Sequence, residues 1–154
     1  MFQILDTQVI EELLSVQLVG HLGCHADGVT YVVPISYAYD GSYVYARTFD
    51  GMKLEMLRKN PSVCFQVEDT LNLTNWKSVV CWGEFEEIRS ETGRRQAIRM
   101  LLERTLPILS SETMHITPDW PFSDFDADNV EGVLFRIRLR KKTGRAETIS
   151  IETN

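Results

Sequence analysis

The chain has 154 residues, 44% of them hydrophobic, which is enough for one substantial core and too few for two ordinary domains. Its formal net charge of −6 disfavours sequence-independent binding of nucleic acid, because that mode needs a net basic face. Its three cysteines, Cys24, Cys64 and Cys81, are widely spaced within apolar runs, a pattern typical of buried, reduced thiols in a cytosolic protein.

The N-terminal segment predicts a short helix. Asp6 or Thr7 can cap it, and its apolar residues follow helical spacing: Val9, Ile10, Leu13 and Leu14. Acidic residues interrupt this segment and it has no basic start, so we expect neither a signal peptide nor a membrane span. Together with the composition, this predicts a single cytoplasmic domain over residues 1–154.

Six β-branched or aromatic runs predict β-strands, at residues 16–25, 28–40, 42–49, 62–69, 76–89 and 132–142. Tight-turn signals at residues 26–28 and at Asp40-Gly41 join the first three. A short helix is predicted over residues 52–58. A longer one begins near Ser90 and carries four apolar residues on one face: Ile98, Leu101, Leu102 and Leu106. Residues 117–129 have the composition of an irregular loop. The pattern predicts a mainly β fold, a small six-stranded antiparallel barrel with peripheral α-helices.

Two strands indicate which faces are buried. The last strand alternates core-facing with solvent-facing residues, the first set being Val133, Phe135, Ile137 and Leu139 and the second Leu134, Arg136, Arg138 and Arg140. The strand at residues 76–89 is apolar on both faces, with Val79, Cys81 and Phe85 on one and Trp76, Val80 and Trp82 on the other. Monomers rarely expose such surface, so we expect a second subunit or a ligand to cover it, and a homodimer is the simpler explanation.

Lys53 stands in the first turn of the predicted short helix, where a cation opposes the positive end of the helix dipole. The unpaired N–H groups at a helix start, preceded here by Gly51, suit a phosphate that Lys53 would neutralise. Arg47 and the Thr48 hydroxyl would contribute from the preceding strand. The alternative is structural: Asp50 caps the helix and Lys53 extends into water.

Pro34 and Ser78 are further candidates, both on strands. Pro34 lacks a backbone donor, so it belongs on an edge strand, at a bulge or where a ligand approaches the backbone. Ser78 lies among apolar neighbours and, if buried, needs a partner, either a backbone carbonyl or a heteroatom of a bound ring. Catalytic triads and zinc-binding spacings do not appear, and His25 and His115 have no ligand-spaced partners, so we predict no metal site.

Several short motifs together resemble a known family. They are Gly20-His21-Leu22-Gly23, Val33-Pro34-Ile35 with Tyr37, Gly51-x-Lys53, Asn60-Pro61-x-Val63, and Trp76-x-Ser78-Val79-Val80 with Gly83. Over residues 16–88 the chain resembles the pyridoxamine 5′-phosphate oxidase-like flavoproteins, and among them the small FMN-binding proteins that include the nitroimidazole-resistance reductases. Beyond Ile88 the likeness is loose.

The resemblance implies a split β-barrel and a homodimer, with one FMN per subunit in the groove between subunits. Carried over position by position, the FMN phosphate would be held by Arg47, Thr48, Gly51 and Lys53, although the family often has histidine in place of Arg47. The flavin ring would be met by the backbone at Pro34, Ile35 and Ser36, and lined from a neighbouring strand by Trp76, Ser78 and Val79. His21 matches a histidine near the flavin in the nitroimidazole-reductase group; the alternative is a strand histidine bonded to a carbonyl.

The resemblance also implies an FMN-dependent oxidoreductase that passes hydride or electrons from reduced flavin to a small acceptor, for example a nitroaromatic compound, with NADH or NADPH as reductant. Oxidation of pyridoxamine phosphate itself is not expected, because the substrate-phosphate residues near the C-terminus of those enzymes are not recognisable. Three alternatives stay open: a flavin-binding protein without catalysis, a haem-binding relative with His21 or His115 as iron ligand, and an interaction protein without a cofactor. FAD or a deazaflavin also stays open, although a phosphate at a short helix start fits FMN most simply.

Overall fold

The computed structural model describes residues 2–104 and 132–149 of the chain. These residues form eight strands and three helices. In chain order they are β1 (Phe2–Ile4), α1 (Thr7–Val16), β2 (Val19–Ala26), β3 (Val29–Ser36), β4 (Ala38–Tyr39), β5 (Tyr43–Thr48), α2 (Met52–Lys59), β6 (Ser62–Asn72), β7 (Asn75–Glu87), α3 (Glu91–Leu102) and β8 (Val133–Thr148). The predicted loop at residues 117–129, Leu106 and His115 lie outside the described residues.

The strands form one antiparallel sheet in the order β3-β2-β6-β7-β8-β5-β4, and β1 pairs with β8 beside this path. The predicted mainly β, antiparallel class is therefore confirmed. All six predicted strands are present, the predicted strand at residues 28–40 is divided into β3 and β4, and β1 is additional to them. A strand of three residues is too short to show the period-2 alternation by which strands are recognised, so the prediction of six missed β1.

The three helices begin close to the predicted positions. Asp6 caps α1, its carboxylate accepting from the Val9 backbone N–H at 3.0 Å, and Ser90 caps α3 through the Gly93 N–H at 3.1 Å. By contrast, α2 follows Gly51 and has no side-chain cap among the described residues. The part of the structural alternative for Lys53 that made Asp50 the cap of this helix is therefore wrong. None of the helices in the described ranges is long and apolar enough to cross a membrane.

The main core lies between one face of the sheet and the apolar sides of α1 and α2. Tyr37 and Phe65 pack edge to face there, with ring centroids 4.9 Å apart, and the Tyr37 hydroxyl donates to the Leu14 carbonyl at 2.6 Å. The three cysteines form no disulfide, and burial raises the pKa of the Cys81 thiol to about 12. Cys24 is buried as predicted, whereas Cys64 is only partly buried.

Leu134 corrects the prediction for the last strand. It was expected on the solvent face with the arginines, yet its side chain has no exposed surface. The reason is that α3 packs on that face of the sheet and encloses Leu134 in a second, smaller cluster with Ile98 and Leu101. Arg136 and Arg138 on the same face pair with Glu86 and Glu84 at 2.8 and 3.0 Å.

The opposite face of β2, β3, β6 and β7, away from the main core, is here called the outer face. Its apolar side chains include Val19, Val32, Trp76, Val80 and Trp82. Val32 is 61% exposed and Trp82 39% exposed in the single chain, whereas Val79 and Cys81 on the inner side of β7 are completely buried. The apolar character predicted for both faces of β7 is therefore present in the structure.

Candidate functional site

A pocket of about 230 Å³ opens where the ends of β3 and β5 and the start of α2 meet the last turn of α3. The residues that line it are Pro34, Ile35, Ser36, Arg47, Phe49, Lys53, Leu101 and Arg104. Five of these are predicted cofactor-binding residues: Pro34, Ile35, Ser36, Arg47 and Lys53. The fold thus brings together side chains from two strands and a helix that the sequence analysis assigned to one site.

Lys53 lies in the first turn of α2 and lines this pocket. Burial lowers the pKa of its ammonium group from the usual value, and the nearby Cys24 thiol opposes that shift. Within residues 2–104 and 132–149, Lys53 has neither a hydrogen bond nor an ion pair. A partly buried cation in this state destabilises the fold, and an anion entering the pocket would offset that cost.

The other predicted phosphate ligands lie around the start of α2. The Arg47 guanidinium lies 5.1 Å from the centroid of the Phe49 ring, and both side chains line the pocket. Gly51 is exposed, and a Cβ placed on it would meet no atom within 4 Å, so there is room for a ligand beside it. Thr48 instead is buried, and its hydroxyl donates to the Phe49 carbonyl at 3.2 Å. Thr48 is not among the lining residues.

Pro34 lies on β3, which is an edge strand of the sheet, and pairs in register with His21 of β2. An edge strand is one of the positions in a sheet where proline is tolerated. Because Pro34 also lines the pocket, two of the roles left open by the sequence, edge strand and backbone next to a ligand site, apply at the same residue.

Arg104, just after α3, is a pocket residue that the sequence reading missed. Its Nη1 donates to the Ser36 hydroxyl at 2.5 Å and to the Tyr37 carbonyl at 3.1 Å, and its Nε donates to the Leu101 carbonyl at 2.8 Å. Burial lowers the pKa of this guanidinium to about 10, so it is protonated at neutral pH. In the sequence, a basic residue after a helix indicates only a contact with the helix C-terminus, and nothing links it to Ser36, 68 positions away.

The described lining of the pocket is cationic. Arg47, Lys53 and Arg104 contribute positive charge, and no aspartate or glutamate is among the lining residues that the structure describes. In the same part of the chain, no group of three or more His, Cys, Asp and Glu side chains is arranged to hold a metal ion. The donor set of this pocket therefore suits an anion with hydrogen-bond acceptors, such as a phosphate.

Trp76, Ser78 and Val79 lie on β7 and do not reach this pocket within one chain. The Val79 side chain is completely buried in the main core, so only its backbone is available to a ligand. Trp76 donates from its indole nitrogen to the Glu147 carboxylate at 3.3 Å. These three predicted residues form a separate group on the strand that carries the outer face.

Ser78 and His21 belong to one hydrogen-bond chain on the outer face. Gln66 donates from Nε2 to the Ser78 hydroxyl at 3.1 Å, and its Oε1 lies 3.2 Å from His21 Nδ1. The chain links three neighbouring strands, β2, β6 and β7. The partner of Ser78 is therefore a side-chain amide, which is neither the backbone carbonyl nor the ligand atom considered from the sequence. The partner of His21 is the side-chain carbonyl oxygen of Gln66, which agrees with the alternative of a strand histidine bonded to a carbonyl.

These features define an antiparallel split β-barrel with a cationic pocket beside its edge strand. A family model described as pyridoxamine 5′-phosphate oxidase matches residues 6–146. The chain belongs to this family, and the resemblance seen in the sequence is confirmed.

Solved structures agree with this assignment. A FAD-binding protein from Mesorhizobium loti is 32% identical, with a TM-score of 0.74 and coverage of 96% of this chain and 99% of that one. A protein from Bacteroides thetaiotaomicron, described as a 5-nitroimidazole antibiotic resistance protein, is 23% identical and shares the fold, with a TM-score of 0.71 over 95% of this chain and 87% of that one. An FAD-binding protein from Mycobacterium smegmatis, 21% identical, shares the fold at a TM-score of 0.67 over 96% of this chain and 100% of that one.

Among curated proteins, an uncharacterized protein of Rhizobium meliloti is 36% identical over 72 residues. The match covers 47% of this chain and 48% of that protein, so it spans about half the length of each.

Proposed function

We propose that this protein binds FMN and uses it as an oxidoreductase that passes hydride or electrons to a small acceptor, such as a nitroaromatic compound. The observation that carries the proposal is the cationic pocket, which groups Arg47 and Lys53 with the backbone of residues 34–36. The similar proteins support a flavin, since those of Mesorhizobium loti and Mycobacterium smegmatis are described as FAD-binding. The description of the Bacteroides thetaiotaomicron protein as a 5-nitroimidazole antibiotic resistance protein favours the nitroaromatic acceptor.

The residues of the pocket fit the phosphate of FMN. Lys53 supplies a positive charge with no ion-pair partner in the described residues, and Arg47 supplies a planar guanidinium that can bind phosphate bidentately. The open space beside Gly51 gives the phosphate access to the start of α2, where backbone N–H groups lack intrahelical partners. Thr48 is a weaker candidate than the sequence indicated, because its buried hydroxyl already bonds the Phe49 carbonyl.

We further propose that a second copy of the chain completes the site. The pocket of about 230 Å³ is smaller than the roughly 300–1,000 Å³ of ordinary ligand sites, so one chain provides only part of the lining. The apolar outer face, with Val32 61% exposed, provides the surface for a homodimer. A partner subunit would then contribute the β7 residues that lie outside the pocket of their own chain: Trp76, Ser78 and Val79.

His21 is the group proposed to hold a proton near the reacting atoms. When His21 Nδ1 donates to Gln66 Oε1, the neutral ring carries its free lone pair on Nε2, which can accept or return a proton. Gln66 is itself oriented by its hydrogen bond to Ser78. Gln66 and Ser78 would therefore position the histidine, and the backbone of Pro34 to Ser36 would meet the edge of the flavin ring.

Bound FMN would supply the redox chemistry, accepting hydride from NADH or NADPH and delivering electrons to the acceptor. The test begins with the absorption spectrum of the purified protein, followed by anaerobic reduction with NADH or NADPH and addition of a nitroaromatic compound. We expect a flavin spectrum, bleaching on reduction, and reoxidation by the nitroaromatic compound faster than in a solution of free FMN.

The other outcomes identify the alternatives. A flavin spectrum without reoxidation above the free-FMN rate would show a flavin-binding protein without this catalysis. A haem spectrum after haem addition, lost on replacement of His21, would support the haem-binding relative. A colourless protein whose melting temperature does not rise with added FMN would contradict the proposal altogether, because any ligand of the folded state must stabilise it.

A further inference from the structure

Ser36, the last residue of β3, carries a hydroxyl and lines the cationic pocket. The preceding residue, Ile35, is buried in the main core, so the alternation of a strand places Pro34 and Ser36 together on the outer face. In the register of β2 and β3, Pro34 lies opposite His21 and Ser36 lies opposite Val19. The Ser36 side chain is therefore on the same face of the sheet as His21, one strand away.

The oxygen of the Ser36 hydroxyl already has a donor. Arg104 Nη1 donates to it at 2.5 Å and also donates to the Tyr37 carbonyl at 3.1 Å. A third bond anchors the same guanidinium, because its Nε donates to the Leu101 carbonyl at 2.8 Å. These bonds hold Arg104 in one orientation, and they fix the side of the serine oxygen at which it accepts.

The proton of the Ser36 hydroxyl is still available. A serine hydroxyl can donate one hydrogen bond as well as accept, and a guanidinium has no acceptor to offer it. Within residues 2–104 and 132–149, no atom accepts a hydrogen bond from Ser36. Because Ser36 lines the pocket, a ligand there that carries an acceptor can take this bond.

We propose that Ser36 donates this hydrogen bond to an acceptor atom at the edge of the flavin ring, and that Arg104 is the residue that positions Ser36. The inference rests on the proposed function and deepens it, because the backbone of residues 34–36 meets the ring edge there. The phosphate has other partners, since its charge of about −2 is matched by Arg47 and Lys53. The carbonyl oxygens and ring nitrogens of a flavin are acceptors of the kind that the hydroxyl needs.

A donor at this edge favours the reduced ring. When NADH or NADPH gives up its hydride, the nicotinamide leaves as the oxidised cation and the ring gains one negative charge. A hydrogen bond to a charged acceptor is roughly twice as strong as one to a neutral acceptor, and the bond from Arg104 polarises the hydroxyl that makes it. The Ser36–Arg104 pair therefore binds the reduced ring more tightly than the oxidised ring, which raises the reduction potential of the bound cofactor.

The experiment measures the two-electron reduction potential of FMN bound to the full chain, by redox titration against a reference dye. Ser36→Ala is the decisive variant, because it removes the hydroxyl and leaves Arg104 bonded to the Tyr37 and Leu101 carbonyls. Ser36→Thr restores a hydroxyl on a residue that suits a strand. Arg104→Gln removes the positioning bond. Its matched control is Arg99→Gln, which makes the same change of charge at an exposed residue of α3 that does not line the pocket.

We expect Ser36→Ala to reduce the ratio of the affinities for reduced and oxidised FMN at least about fivefold, which lowers the reduction potential by at least about 20 mV. Ser36→Thr should restore the wild-type potential, and Arg99→Gln should keep it. Arg104→Gln should lower the potential in the wild type but add little in the Ser36→Ala background, because the two residues act through one hydrogen bond.

An unchanged potential in Ser36→Ala, or an equal fall in Ser36→Thr, would overturn the role of Ser36 and leave the proposed function standing. Additive shifts from Ser36→Ala and Arg104→Gln would overturn the assignment of Arg104 as the positioning residue. A wild-type protein that binds no FMN would contradict both this inference and the proposed function.

Discussion

Replacement of Lys53 by methionine tests the phosphate site most directly. Methionine keeps much of the length and apolar stem of lysine but removes the charge that the pocket half buries. A hydrogen bond to a charged group contributes about 1.5 to 3 kcal/mol, so we expect FMN to bind roughly 10- to 150-fold more weakly to Lys53→Met than to the wild type. The folded apoprotein should be no less stable, because Lys53 has no ion pair or hydrogen bond to lose within the described residues.

The assay is titration with FMN and, separately, with riboflavin, which lacks the phosphate, at one fixed salt concentration. Lys59→Met is the control on the same helix. Lys59 pairs with Asp27 at 2.7 Å, is exposed and does not line the pocket, so its replacement should leave FMN affinity unchanged. Riboflavin affinity should be the same in the wild type and Lys53→Met.

Two results would refute the reasoning. If Lys53→Met binds FMN as tightly as the wild type does, Lys53 is not the phosphate counter-charge. If riboflavin affinity falls as much as FMN affinity, Lys53 acts on the pocket in general and not on the phosphate.

Three further predictions concern pH, assembly and the barrel itself. Burial lowers the pKa of the Lys53 ammonium group below 10.5, the usual lysine value. FMN affinity should therefore fall as the pH rises through that lowered pKa, because Lys53 loses the positive charge that attracts the phosphate. Lys53→Arg stays protonated, so FMN titrations of this variant across alkaline pH should no longer show the fall. Trp82→Glu should shift the proposed dimer toward monomer in analytical ultracentrifugation, because it places a charge on the outer face. The control Val29→Glu, at a residue on the opposite side of β3, should leave the dimer intact. A wild-type protein that is already monomeric would contradict the proposed homodimer. Gly83→Ala should lower the free energy of unfolding by about 1 to 3 kcal/mol in urea titrations, because the added Cβ would lie 2.3 Å from the Arg138 carbonyl oxygen. In the control Gly51→Ala the added Cβ meets open space, so the stability of the apoprotein should be unchanged.

The sequence predicted local structure well where the signal is itself local. The caps of α1 and α3 at Asp6 and Ser90 follow from one side chain bonding an N–H three residues away. The turn at Asp27-Gly28 uses positive φ angles of 51° and 76°, which the Asp-Gly pair signals directly. The family resemblance, carried by short motifs within residues 16–88, indicated the cofactor class and most of the pocket residues.

Predictions failed or stayed incomplete where a distant element decides the outcome. The alternation of β8 correctly separates its two faces, but only the packing of α3 shows that Leu134 is buried while Arg138 is not. The same helix brings Arg104 to Ser36, a contact between residues 68 positions apart. The sequence shows that Thr48 is close to Lys53 along the chain. Only the structure shows that the Thr48 side chain is buried and that its hydroxyl donates to the Phe49 carbonyl.

The sequence by itself determined the strands, the helix starts and the motif set, because alternation, capping and turn chemistry depend on neighbouring residues along the chain. Only the tertiary structure decided that Arg47, Lys53 and Arg104 line one pocket, and that Ser78 joins His21 through Gln66 on the outer face. The physical reason is that sheet order and helix docking set which distant side chains meet, and both result from burial of the whole core. The sequence shows Lys53 only as a cation at a helix start, where the helix dipole disfavours it. The structure shows the same residue as a half-buried cation in a pocket whose lining suits a flavin phosphate.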